Sequence, residues 1–129
     1  RGPLALEYPW GDYWDESRCR NDKNKGNGQT CAVYEFPAGV SGWGTYNQSG
    51  NVWEWCRDGK REYDGSNAVD PVGPMSAGVG RVLRGGSWRS LARHVRCAYR
   101  LALDPSYHYA DIGFRLAGVE KMDGPVAHV

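Results

Sequence analysis

The oxygen atoms between Asn47 and Glu54 offer the most definite ligand chemistry in this chain. The side-chain oxygen of Asn47, the backbone carbonyls of Gly50 and Val52 and the carboxylate of Glu54 make a mixed oxygen set. Calcium accepts such sets in irregular geometry. Without an ion, Glu54 would pair with a framework arginine and Asn47 would cap a turn. Sulfur offers less: Cys19, Cys31, Cys56 and Cys97 include no close Cys-x-x-Cys pair, which argues against zinc. Cys19 and Cys31 flank a polar loop, while Cys56 and Cys97 lie in framework motifs. Two disulfides and four reduced thiols are both compatible with this spacing. His94, His108 and His128 lack metal-ligand spacing, and chain order defines no Ser/His/Asp constellation. Gly85-Gly86 is too short for a phosphate-binding loop and reads as a tight strand-to-loop turn.

A second signal is compositional. Between Arg89 and Asp111 there is no Lys, Glu, Gln, Met or Trp, although the rest of the chain uses these five types at roughly one position in five. They are the types that a codon ending in C cannot encode. At that frequency, about 23 consecutive positions would escape them by chance in somewhat under one case in a hundred. An Asn codon AAC randomised at its two adenines yields only the types still allowed, which points to a surface diversified by adenine-directed mutagenesis. The candidate ligand-contacting residues are Arg89, Ser90, Leu91, Arg93, His94, Tyr99, Leu101, Ala102, Leu103, Tyr107, His108, Tyr109, Ala110 and Asp111. Contact surfaces enrich such aromatic and guanidinium groups. Tyr99, Leu101 and Leu103 would also suit a core, and about a third of the set is expected to be buried. Randomising a packed core is costly, so most of the set must face solvent on one side, with Trp88, Arg100 and Phe114 as fixed support.

The elements that hold these residues are short. The chain has 18 Gly and 7 Pro, so turns should outnumber regular structure. Leu, Ile, Val and Phe make up only about a sixth of it, so six Trp and eight Tyr must supply an aromatic core. Cys31–Phe36, Val52–Cys56, Arg81–Arg84 and Gly113–Leu116 are strand candidates. Arg93–Leu103 is free of Gly and Pro and could hold one or two helical turns before Asp104-Pro105. Asn21–Gln29 reads as a flexible polar loop. The length suits one domain. No apolar run reaches membrane-spanning length and no signal peptide is visible at Arg1. A net charge of +1 argues against a general nucleic-acid binder. Arg84, Arg100 and Arg115 are expected to support the fold through carboxylates or carbonyls.

Four motifs carry a family resemblance: Tyr8-Pro9-Trp10-Gly11, the run Tyr46-Asn47-Gln48-Ser49-Gly50-Asn51-Val52-Trp53-Glu54-Trp55-Cys56, then Arg81-Val82-Leu83-Arg84-Gly85-Gly86-Ser87-Trp88, and Ile112-Gly113-Phe114-Arg115-Leu116. Together they resemble the formylglycine-generating enzyme (sulfatase-modifying factor) family. A Gly-Gly-Ser-Trp frame, a scrambled segment and Ile-Gly-Phe-Arg are most similar to the variable proteins of diversity-generating retroelements. The resemblance implies an α+β, C-type lectin-like fold, loop-rich with few short strands. Residues 1–129 would form the C-terminal part of one such domain, with a variable segment at 89–111. It also implies a structural calcium at Asn47, Gly50, Val52 and Glu54, and a structural role for Cys97. The family's copper-dependent oxidase needs two cysteines close after the Gly-Gly-Ser motif. Here Ser90 stands at the first position and the second has no equivalent. The expectation is a non-enzymatic module that presents a hypervariable surface to a protein or other macromolecule, displayed on a cell surface or virion. The alternatives are a copper-dependent oxidase acting on sulfatase cysteines, and a degenerate structural domain with no ligand.

Overall fold

Four short strands form one sheet in the computed structural model, which describes residues 1–68 and 71–118. These are β1 (Trp53–Gly59), β2 (Arg81–Arg84), β3 (Arg100–Leu103) and β4 (Ile112–Gly113), in the spatial order β3-β2-β1-β4. β2 pairs antiparallel with both β1 and β3, while β4 lies parallel to β1. Central β2 buries Val82 and Leu83 in succession, as a strand covered on both faces must. Three single-turn 3₁₀ segments, Glu16–Arg18, Pro37–Gly39 and Ala92–His94, are the only helical elements among the described residues.

The segment Cys31–Phe36, expected as a strand, is a turn instead. Glu35 N–H donates to the Ala32 carbonyl at 3.2 Å, and the Glu35 carboxylate accepts from Ala32 N–H at 3.3 Å. Its alternation was weak, and the local side-chain bond offers the backbone an alternative to a ladder. Residues 93–103 divide between a 3₁₀ turn and β3, because residues 100–103 pair in unbroken register with 81–84. The strand expected at Gly113–Leu116 stops at Gly113.

With aliphatic residues scarce, aromatic rings carry much of the packing. Trp53 and Trp88 are buried, Trp53 lies 5.9 Å from Tyr99 between ring centroids, and buried Tyr8 stacks on Trp10 at 5.3 Å. The polar loop 21–29 is pinned rather than free. Arg20 sits inside it and donates to the carbonyls of Asn24, Lys25 and Gln29, while fully buried Asn21 donates to those of Glu16 and Cys19. All four cysteines are thiols. Burial pushes the Cys19 thiol up to about 12. Among the described residues, no helix is long and apolar enough to cross a membrane.

Candidate functional site

Ser87 fastens both ends of the variable segment. Its hydroxyl donates to the Asp111 carboxylate at 2.8 Å and accepts from Arg89 N–H at 3.2 Å. Its own N–H donates to the Ser90 hydroxyl at 2.8 Å. The Asp111 carbonyl in turn accepts from Trp53 N–H at 2.8 Å, which binds the far end of the segment to β1. The Gly85-Gly86 turn just before Ser87 is the tight one expected, with φ of 90° and 70°. A Cβ on Gly86 would lie 2.6 Å from Val95 and 3.2 Å from the His94 carbonyl, so the 3₁₀ turn packs directly on it.

Within this frame, Arg89, Leu91, Arg93, Tyr107, His108, Tyr109 and Ala110 are exposed. His94, Tyr99, Leu101, Ala102 and Leu103 are half-buried, and Ser90 and Asp111 are buried. The last two therefore correct the candidate contact set. Ser90 is enclosed by Ser87 and by Asp22, whose N–H donates to its carbonyl, and Asp111 is spent on Ser87. Tyr107 and Tyr109 pair at 5.7 Å between centroids. His94 meets Tyr99 edge-on at 5.1 Å, and burial, then Arg93 and Arg96, hold its pKa below the usual histidine value. Arg89 lies over the Trp88 ring at 4.5 Å, so buried Trp88 supports the segment as expected. Phe114 does not. It is 73% exposed and lines a cleft with Val33, Tyr34 and Tyr46 instead.

In the oxygen-rich segment, the Glu54 carboxylate is gripped at both oxygens by Arg115. That guanidinium also donates to the carbonyls of Tyr46 at 2.9 Å and Asn47 at 3.0 Å. The bond to Glu54 raises the Arg115 pKa. Asn47 adopts a left-handed φ of 54°, and its side-chain N–H donates to the Val33 carbonyl at 2.9 Å, leaving the amide oxygen as an acceptor. An ionised carboxylate has about four lone-pair sites, of which a bidentate guanidinium uses two. The Asn47 amide oxygen and the remaining lone pairs of Glu54 are of the oxygen type that calcium accepts, with Arg115 as a like-charged neighbour. Among the described residues, no group of three or more His, Cys, Asp or Glu side chains is placed to hold a metal.

Sequence reasoning missed the roles of Ser87 and Asn51. Asn51 accepts from Cys31 N–H through its side chain and from Trp88 N–H through its carbonyl, and its own N–H donates to the Arg20 carbonyl. The available signal was their place inside framework motifs, where a small polar residue next to glycine serves backbone groups.

The fold and the Gly-Gly-Ser-Trp frame define a C-type lectin-like domain of the formylglycine-generating-enzyme type. Residues 1–119 match the sulfatase-modifying factor enzyme 1-like domain, and the chain belongs to that family. It is 38% identical over 119 residues to the serine/threonine-protein kinase Pkn1 of Chlamydia trachomatis serovar L2, a match covering 90% of this chain and 18% of that protein. To a formylglycine-generating enzyme of Streptomyces coelicolor it is 36% identical over 135 residues, covering 91% of this chain and 42% of the enzyme. Among solved structures, Treponema denticola variable protein 1 superposes with a TM-score of 0.70 at 30% identity, over 84% of this chain and 40% of that one. The chain spans less than half the length of each of these relatives.

Proposed function

We propose that this chain is a non-enzymatic binding module whose 89–111 surface, diversified by a retroelement, contacts a protein or other macromolecule. The observation that carries the reading is the absence of Lys, Glu, Gln, Met and Trp from this segment, against their use at roughly one position in five elsewhere in the chain. Its likeness to a variable protein supports the same reading. Contact would fall to Arg89, Leu91, Arg93, His94, Tyr107, His108 and Tyr109, which are exposed or half-buried. Arg, Tyr and His give large area and directional bonds at modest entropy cost. A displayed position, on a cell surface or virion, suits such a surface.

Ligand chemistry weighs against the oxidase alternative. Buried Ser90 offers a hard, high-pKa oxygen where the reaction needs a soft thiolate. Incubation with a Cys-x-Pro-x-Arg peptide and copper should leave the peptide mass unchanged. Loss of the thiol with appearance of an aldehyde would overturn the proposal.

The same proposal includes a structural calcium at Asn47, Gly50, Val52 and Glu54. A ligand that binds only the folded state stabilises by the logarithm of its concentration over its dissociation constant. Chelation should therefore lower the melting temperature, and Glu54→Ala should remove the response. A melting curve indifferent to chelation takes the ion out of the proposal and leaves Arg115 as the partner of the Glu54 carboxylate among the described residues.

A further inference from the structure

Three guanidinium groups converge on one exposed tyrosine at the β2–β3 edge of the sheet. Arg84 and Arg100 are direct cross-strand partners, so their side chains leave the sheet on the same side. Like charges in that position repel unless something negative joins them. The carboxylate next along the row is Glu54, the partner of Arg84 in β1, and Arg115 holds it. The Arg100 guanidinium lies 4.1 Å from the centroid of the Tyr63 ring, that of Arg61 lies 5.8 Å from it, and Arg84 donates to the Tyr63 hydroxyl at 3.4 Å. Arg100 is tied back to the Arg61 carbonyl at 2.6 Å, which fixes the loop against the strand. Tyr63 is 65% exposed, so the cluster opens to solvent.

Each guanidinium carries five N–H donors. Among the described residues, the acceptors for these three are the carbonyls of Cys97, Ala98 and Arg61 and the Tyr63 hydroxyl. None of the ion pairs among the described residues involves Arg61, Arg84 or Arg100. We propose that Arg61, Arg84, Arg100 and the Tyr63 hydroxyl form a binding site for an oxyanion group, carboxylate, sulfate or phosphate, carried by a ligand. The planar forks match two oxygens at once, and the phenol O–H can donate to a third while its oxygen accepts from Arg84. Arg100 lies within residues 89–111, but none of the four residues belongs to the contact set named above, so the site can fail or hold independently of that reading.

The test is an amide-resolved NMR titration of the chain with sodium phosphate, sodium sulfate and sodium glutarate, each against sodium chloride at equal ionic strength. At least one oxyanion should give saturable shifts at residues 61–63, 84 and 100 that chloride does not, and the arm that responds identifies the chemistry. Arg100→Gln should weaken that binding by about tenfold, because it removes a charge-assisted fork. Arg61→Gln, in a loop outside the sheet, should do the same in a chain whose fold is not in question. Shifts that never saturate, that chloride reproduces, or that survive both substitutions would overturn the proposal.

Discussion

Trp88→Ala should destabilise the domain by about 3–5 kcal/mol, while the pair Tyr107→Ser and Tyr109→Ser should cost only about 0.5 kcal/mol each. Trp88 is buried, and its ring closes on the backbone of Gly28, where a Cβ would come within 3.2 Å. Its backbone N–H donates to the Asn51 carbonyl at 2.9 Å, and its side chain fills the junction of the polar loop and the start of the variable segment. Truncation leaves a cavity that these bonded loops cannot collapse into. Trp88→Phe should cost less than Ala, because it keeps a ring in the space while giving up only an indole N–H that has no partner among the described residues. Tyr107 and Tyr109 are about half exposed and lean mainly on each other. Urea denaturation of the variants measures the contrast directly. Equal losses for the tryptophan and the tyrosines would mean that the segment is core rather than display surface.

Gly50→Ala should be nearly as damaging, with an expected loss of about 3 kcal/mol or more. Gly50 has φ of 77°, and a Cβ there would sit 2.3 Å from the Arg20 carbonyl oxygen and 3.1 Å from Cys19 Cβ. The carbonyl that it would strike accepts from Asn51 N–H at 3.0 Å, and Gly50 N–H itself donates to the Gly85 carbonyl at 2.8 Å. Relief of the clash therefore breaks the stitch between the polar loop and the Gly85-Gly86 turn. Alanine keeps the backbone carbonyl offered to calcium, so the loss should persist in chelator. A melting temperature within a few degrees of the parent chain would show that this corner has room to move.

Much of this fold could be read from the chain. The strand starts at Trp53 and Arg81 lie in motifs whose apolar residues and bounding glycines allow little else. Arg115 meets carbonyls and a carboxylate, as expected of a framework arginine. β3 was hidden because a run without Gly or Pro reads as helix until its partner is known. Its pairing with residues 81–84 comes from tertiary context that no local pattern records. Ser90 and Asp111 were misread for a related reason. The residue-type bias extends over a whole stretch, whereas burial is set residue by residue, and both side chains turn inward onto Ser87. Phe114 sits in a framework motif but lies in the exposed part of it, beyond the end of β4. The Tyr63 cluster was invisible because its arginines come from three separated stretches of chain.

The most direct measurement is the DNA sequence of the locus, read for the codons of residues 89–111 and for a nearby near-identical copy of the same stretch. Adenine-directed diversification predicts such a copy, differing from the coding strand only where the copy carries adenine. The differences should concentrate in the codons of exposed residues such as Arg89, Arg93, Tyr107 and Tyr109, and should spare those of Ser87 and Trp88. Differences spread evenly over all four template bases, or falling equally on the framework codons, would contradict a retroelement-diversified surface.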